Sequence, residues 1–351
     1  MKGLRSSMLP TMKVIHAPLE IAGQVGLICE FLRKLGIHSV GYNYYQTYLD
    51  YRKIINTDSF ELAKILDAAI QEYDLFHFHN SYTFLEDRRD IEMITDAGKN
   101  IIMHHRGNDV RSRALAFKGK GYVNPYVNAE CSLPDAEIDR NLRYFAKHAS
   151  AAIVQDYELY GYVIDYYAKE GKPVYVLPRL IDVSAVQPAF KGSSHEPPLV
   201  VHAPTQRDFK GTAWIEEAVS RLRKEMPIRF LLVEGMSHAE ALQLYREADI
   251  VIDQVLCGAY GNLSVEAMAL GKPVICYIRE DLVSRYPLDL PVVSANPDNL
   301  YDMLKMLVKD KEMREVRARL GRAYVERHHS ASVVIQSLVK IYEGVWRNGG
   351  K

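Results

Sequence analysis

Short β-rich segments alternate with amphipathic helical patterns along most of this chain, and few folds accept that alternation: it demands parallel sheets covered by helices on both faces. Met12–Ala17 reads as the first strand. The helix behind it carries Ile28, Phe31, Leu32 and Leu35 at the spacing of one buried face, and Gly36 closes it. Further strands are expected at His38–Tyr44, Leu75–His79, Ile101–His104, Ala151–Gln155 and Val174–Pro178. Helices are expected at about Phe60–Tyr73, Arg88–Ala97, Asp135–His148 and Tyr157–Lys169. The alternation then breaks over Val183–Pro198, which holds three prolines, a Lys-Gly-Ser-Ser stretch and no periodicity.

It restarts with strands at Pro198–Ala203, Ile228–Glu234, Ile250–Gln254 and Pro273–Ile278. Between them lie a helix at Thr212–Met226, with Ile215, Ala218, Val219 and Leu222 on one face, and others at His238–Ala248 and near Glu266. After Pro297 the pattern is all helical. The last helix starts with Ser330 as N-cap and buries Val334, Leu338, Ile341 and Val345. At 351 residues the chain exceeds the size at which one core keeps growing. The reading is therefore two doubly wound α/β domains: residues 1–182, a linker at 183–198, and residues 199–329. The helix from 330 to 351 is a candidate to rejoin the first domain. Ligands in such folds gather at the carboxyl ends of the strands.

Composition narrows the partners. Lys+Arg and Asp+Glu both number 44, so no net charge favours nucleic acid. The four cysteines are scattered without metal-ligand spacing, which fits a reducing, cytoplasmic setting. No run of ~18 apolar residues suggests a membrane span, although peripheral membrane contact stays open.

Two segments suit anionic ligands. In Gly258–Ile278 a strand ends at Gln254, a glycine-containing turn follows, and a helix starts near Asn262. The turn brings backbone N–H groups close, and the helix N-terminus favours an anion such as a diphosphate. Glu266, one turn in, suits a ribose diol; alone it would read as a solvated helix residue. In the second segment the strand ending at Ala203 leads to Arg207 and Lys210, just before Gly211 and another helix start. A guanidinium and an ammonium there make a second anion site.

At these segments the chain resembles the retaining GT-B glycosyltransferases, the glycosyltransferase family 4-like group that uses nucleotide-diphosphate sugars. The run from Asp249 to Ile278 is similar to the family's donor signature, two glutamates eight positions apart followed by Ala-Met-Ala-x-Gly-x-Pro-Val. The resemblance puts Glu266 on the nucleotide ribose and Arg207 and Lys210 on the donor diphosphate. It puts Gly258, Tyr260, Gly261, Asn262 and Leu263 in the turn around the donor. In the first half, IAGQVG resembles the family's glycine loop, so Gly23 and Gly26 would approach donor phosphates. DLFHFHN, HHRGNDVR and YVLPRLID resemble further family motifs, the last carried by Pro178, Ile181 and Asp182. Arg106 and Asp109 are thereby implied on the acceptor side, with Arg111 near the cleft.

The chain departs from the family at two of these positions. Gly258 stands where the first glutamate is expected, leaving Asp253, Gln254 or a backbone amide to take its part. Arg106 stands where histidine is common, with His104 or His105 to fill its space; His104 is the candidate for catalysis.

The resemblance implies two Rossmann-like domains facing across a cleft. It also implies sugar transfer with retention from a UDP- or GDP-type donor to an unidentified glycan, lipid, small-molecule or protein acceptor, with no further cofactor. The fixed cations take the place of a metal, and the leaving diphosphate draws the acceptor proton. Polysaccharide biosynthesis is one setting for such enzymes. Against this stand a binding protein that has lost turnover, kept alive by Gly258, and a nucleotide-sugar 2-epimerase. An epimerase would need a set of catalytic carboxylates that the expected loops of this chain do not carry. His77 and His79 read as structural, and the five tyrosines within Tyr42–Tyr51 stay unassigned.

Overall fold

The computed structural model describes residues 11–117, 127–128, 133–190 and 197–349, which fall into two compact units. Among them the first unit comprises 11–110, 133–180 and 331–349, and the second comprises the remainder.

In the first unit, β1 (Lys13–Ala17), β2 (His38–Asn43), β3 (Ile55–Asn56), β4 (Leu75–His79), β5 (Asn100–His104), β6 (Ala151–Val154) and β7 (Val174–Val176) form one sheet. Its order is β3-β2-β1-β4-β5-β6-β7, and every pairing is parallel. The central strands β4 and β6 are buried at every residue, as expected where helices cover both faces. The two-residue strand β3 was not legible: both its residues are exposed, so no alternation marks it. Ile28 and Leu32 of the helix Gln24–Lys34 are buried, but Leu35 is 54% exposed. The chain leaves helical geometry at Leu35, and Gly36 turns it with φ +84°. The single helix expected at Phe60–Tyr73 is two, Ser59–Lys64 and Leu66–Glu72. The side chain of Asp58 caps the first of them by accepting from the Glu61 N–H at 2.8 Å.

The second unit repeats the plan with β8 (Leu199–His202), β9 (Arg229–Leu232), β10 (Ile250–Ile252) and β11 (Val274–Ile275). Their order is β11-β10-β8-β9, again all parallel. The helix Thr212–Arg223 buries Ile215, Ala218, Val219 and Leu222 as its spacing requires. In both sheets the chain reverses its direction of travel once, between β1 and β4 and between β8 and β10. Those are the points where ligands collect in doubly wound sheets.

The border between the units differs from the proline-rich stretch expected to mark it. Ile181 donates its N–H to the His329 carbonyl at 2.9 Å, and Arg322 donates to the carbonyls of Val183 and Val186. Residues 181–190 are therefore fastened to the second unit by their backbone. Residues 191–196 of the expected linker lie outside the described residues. Residues 111–117 also join the second unit.

The last helix, Ala331–Gly349, belongs to the first unit. Val334, Leu338, Ile341 and Val345 are all buried in one cluster with Val14, Leu75 and Ile102 of the sheet. A Leu338→Ala variant should lose about 2–5 kcal/mol, the usual cost of emptying a leucine-sized core site. A chemical unfolding midpoint that does not move would show that this helix is not part of the core.

Candidate functional site

In the second unit the loop after β8 and the loop after β10 meet at the reversal point. Lys210 donates from Nζ to Asp253 Oδ1 at 2.9 Å and to Gln254 Oε1 at 2.8 Å. Asp253 is fully buried. Its other oxygen accepts from the Gly261 N–H and the Ser264 hydroxyl, both at 2.7 Å, at the start of the helix Asn262–Ala269. Burial would raise this carboxyl's pKa, but the Lys210 charge and the hydrogen bonds outweigh it and hold it below the ordinary value. One ion pair thus fixes the strand end, the cationic loop and a helix N-terminus together. An added Cβ at Gly261 would lie 2.8 Å from Asp253 Oδ2 and 3.0 Å from Lys210 Nζ, so only glycine leaves this packing undisturbed.

Gly258 has φ +86°, and a Cβ there would lie 2.7 Å from Arg279 Cβ. The glutamate expected by resemblance therefore has no room in this backbone. Gln254 is not a spare substitute, because its Oε1 takes Lys210 and its amide N–H group donates to the Ala259 carbonyl. Both Asp253 oxygens are likewise engaged. Of the three substitutes raised by the sequence, backbone amides of the turn remain.

Tyr260 and Leu263 were expected beside a donor, yet their side chains are buried in the apolar cluster of this unit. The Tyr260 hydroxyl meets His329 Nε2 at 2.9 Å and the Tyr324 hydroxyl at 3.2 Å. Only the backbone of these two residues is left to contribute to a site. Asn262 begins the helix with a buried Oδ1 that has no partner among the described residues.

Glu266 Oε1 lies 2.6 Å from His238 Nε2. Burial lowers the pKa of His238, but the hydrogen bond and charge of Glu266 overcome it, and the net shift is upward. Arg207 is half exposed and pairs with Glu216 at 2.8 Å and Glu234 at 3.0 Å. Exposed pairs of this kind hold their partners weakly. His202, which sequence reasoning passed over, bridges the strand end to the next helix. Its Nδ1 donates to the Ile252 carbonyl at 2.9 Å, which leaves Nε2 to accept from the Thr212 hydroxyl. Burial pushes its pKa down to about 4. A lone histidine at a strand end gave no signal for that part.

In the first unit, the helix N-terminus behind β1 already carries an anion. The Glu20 carboxylate accepts from the Val25 and Gly26 N–H groups at 3.1 and 2.7 Å. The amides near Gly23 and Gly26, expected to meet donor phosphates, are thus capped internally. Burial raises the Glu20 pKa, with Gly26, Val25 and Arg106 pulling against it. Gly23 supplies the left-handed turn at φ +72°.

Four histidines, His16, His77, His79 and His104, face the same side of β1, β4 and β5, as the strand registers require. All are buried and all are pushed well below the ordinary histidine value by burial, His16 to about 3. Arg106 is a pure donor, and its guanidinium reaches His79 Nδ1 at 3.1 Å. That contact orders the rest. His79 Nε2 donates to His16 Nδ1, and His16 Nε2 donates to the Tyr342 hydroxyl. Tyr342 donates to His77 Nδ1 at 2.7 Å, and His77 Nε2 donates to His104 Nδ1 at 3.3 Å. The chain ends on His104 Nε2–H, which has no partner among the described residues. His104, expected near the chemistry, is therefore a neutral, buried ring whose proton sits on Nε2.

The ligand atoms of His16, His77 and His79 lie within 4.8 Å of one another, a spacing open to a metal ion. Every ring nitrogen of these three is already engaged in the chain, and the Arg106 cation stands beside it.

Asp109 organises its loop. It accepts from the backbone N–H groups of Arg106 and Gly107 at 3.0 Å, from the Ser81 hydroxyl at 3.0 Å and from His105 Nδ1 at 2.7 Å. Arg106 is buried, and that burial lowers its pKa to about 10 despite Glu20 and Asp109. Arg111 belongs to the second unit, where its guanidinium lies 5.3 Å from the Phe209 ring centre.

Comparison with known proteins gives a structural answer and no answer from sequence: no family model and no curated protein matches the chain. Among solved structures, the chain is similar to sucrose-phosphate synthase from Thermosynechococcus elongatus, with TM-score 0.62 and 12% identity over 96% of this chain and 100% of that one. It is similar to the catalytic domain of starch synthase IV from Arabidopsis thaliana bound to ADP and acarbose, with TM-score 0.62 and 13% identity over 96% and 99% of the two chains. It is also similar to HepE from Anabaena in complex with UDP and glucose, with TM-score 0.58 and 13% identity over 95% and 99%. At such identities the likeness establishes the fold, which is the GT-B fold of these neighbours. Among the described residues, no helix is long and apolar enough to cross a membrane.

Two outcomes follow from this geometry. Gly258→Ala and Gly98→Ala both place a side chain at positive φ, but only the first meets a neighbour, since the space around Gly98 is open. Both should lose about 1 kcal/mol or more for the backbone, and Gly258→Ala should have the lower melting temperature. Equal losses would remove the steric argument at Gly258. The raised His238 pKa means that its pairing with Glu266 is fully stabilising below the free value of 6.5 and is lost as pH rises through the folded value. Glu266→Gln should lower the His238 midpoint in an NMR titration and flatten the fall in melting temperature above pH 6.5. An unmoved midpoint would sink the coupling.

Proposed function

We propose that this protein is a glycosyltransferase that takes a sugar from a nucleoside-diphosphate donor and passes it to an acceptor hydroxyl with retention of anomeric configuration and without a metal. The observation that carries the reading is the meeting of Lys210, Asp253 and the Gly261–Ser264 helix start at the β8/β10 reversal point of the second unit. A preset ammonium and first-turn N–H groups form the surroundings in which a diphosphate gains most, because they need no rearrangement as charge develops. Arg207 is only weakly retained by its exposed partners and is the second cation. Glu266, one helical turn from the same N-terminus, accepts from the ribose diol after exchanging its contact with His238. The bond from the anomeric carbon to the leaving phosphate oxygen breaks while the acceptor oxygen bonds to the same face. The acceptor proton passes to the leaving diphosphate, which Lys210 and the helix start stabilise. The fold is consistent with the reading, since two of the neighbours that share it hold UDP and glucose or ADP and acarbose.

A second reading, a nucleotide-sugar-binding protein without turnover, is favoured by one observation: the Gly258 backbone has no space for a sugar-contacting carboxylate. The two readings share a binding step and part at turnover.

Thermal unfolding in the presence of UDP, GDP, ADP, CDP and dTDP, with and without magnesium, tests the binding step. One diphosphate should stand out without magnesium, with about 2.7 kcal/mol of stabilisation at roughly 100 times its dissociation constant. Glu266→Gln should weaken that binding about tenfold, as one charge-assisted hydrogen bond would. No shift with any nucleotide would end both readings. A shift without release of the diphosphate from matching donor sugars and acceptors would favour the non-catalytic one.

A further inference from the structure

The first unit contains a cavity of about 440 Å³ beside the carboxyl ends of β2 and β4. It lies on the loop that follows His79, and that loop is tied to Asp109 by the Ser81 hydroxyl. Its size falls in the range of small-molecule sites. None of the residues proposed to hold the donor lines it.

Three features of its lining bear on what it holds. Tyr44, Tyr82 and Phe84 supply aromatic surface, and Tyr82 is 46% exposed. Asn80 lines the cavity and is 8% exposed, and its Oδ1 is buried without a hydrogen-bond partner among the described residues. A buried acceptor in that condition is costly until a donor reaches it. Lastly, the charges disfavour an anion. Glu86 and Glu137 both line the cavity. Its cation, Arg88, donates to Asn141 Oδ1 at 2.8 Å and lies over the rings of Tyr144 and Phe145.

The walls are set in advance. Asp90 is buried and accepts from the Phe84 N–H at 2.8 Å and from the Thr83 hydroxyl at 3.1 Å. That carboxylate holds the loop in place independently of any ligand, so little ordering remains to be done on binding.

We infer that this cavity binds a neutral sugar ring, whose C–H face lies against the aromatic side chains and whose hydroxyls meet Asn80 and the two glutamates. A phosphate- or carboxylate-bearing ligand would face those two glutamates, and Arg88, the one cation in the described lining, is held by Asn141 and two aromatic rings. A hydrocarbon chain would leave the Asn80 oxygen unsatisfied. A sugar offers donor hydroxyls and an apolar face in one molecule, which is the pairing the lining requires. The binding of a sugar here does not rest on the proposed transfer.

The test is saturation-transfer NMR on the full chain with maltose, cellobiose, lactose and sucrose, and with glucuronic acid and glucose 6-phosphate as anionic comparators. At least one neutral sugar should receive saturation, and the anionic pair should receive less. Tyr82→Ala removes a half-exposed ring, and Asn80→Gly suits a residue at φ +57°. Each variant should reduce the signal about fivefold while keeping the melting temperature and any nucleotide-induced shift of the unaltered protein. Absence of transfer from every neutral sugar, stronger transfer to the anionic pair, or equal signals in the variants would each overturn the inference. A nucleotide shift without sugar binding would defeat this inference alone. Sugar binding without any nucleotide shift would defeat the transfer reading and leave the sugar site standing.

Discussion

The second unit's candidate site depends on one buried carboxylate. Asp253 sits at the end of β10 with no exposure, where an unpaired charge would cost several kcal/mol. Lys210, Gly261 and Ser264 offset that cost, and each comes from a segment that a phosphate site needs to have fixed. Removing Lys210 would therefore do more than remove a cation: it would leave Asp253 buried and unpaired and loosen the start of the helix Asn262–Ala269. The same logic explains the glycine at 261, because a side chain there would press on both members of the pair.

The first unit solves a related problem without charge pairing. Four histidines on the covered face of its central strands would each be costly to bury alone. The helix Ala331–Gly349 brings Tyr342 over them, and the hydroxyl joins His16 to His77. With Arg106 as an obligate donor at one end, every proton in the series has a defined place. The burial of these rings keeps them neutral, so donors and acceptors alternate through the series. Glu20 closes the adjacent helix N-terminus in the same self-contained manner.

These two arrangements give the units different characters. The second presents cations and first-turn amides whose weaker partners, the exposed glutamates on Arg207, can be exchanged for a ligand. The first has its own carboxylate on the helix start and keeps its open volume farther along the strand ends, between aromatic rings and Asn80. A donor rich in negative charge suits the former, and an uncharged polyol suits the latter.

Much of this was legible in the sequence for a plain reason. Strand and helix periodicity reports which residues must be buried, so the strand cores, the helix Thr212–Arg223 and the buried face of the last helix could be read from spacing alone. Glycine at 258 and 261, Lys210 before a helix start, and Glu266 one turn into another were equally visible, because backbone geometry and charge at helix termini are local properties. What spacing could not report is which distant groups satisfy one another. Whether Gly23 and Gly26 offer free amides depended on Glu20, and whether Tyr260 faced a ligand depended on Tyr324 and His329. The part played by His104 depended on Arg106 and on Tyr342, far along the chain. The sequence by itself determined two parallel α/β units and the residues able to handle an anion. Only the tertiary structure decided which of those residues are already spent on one another, since a buried polar group takes whichever partner the fold brings within reach.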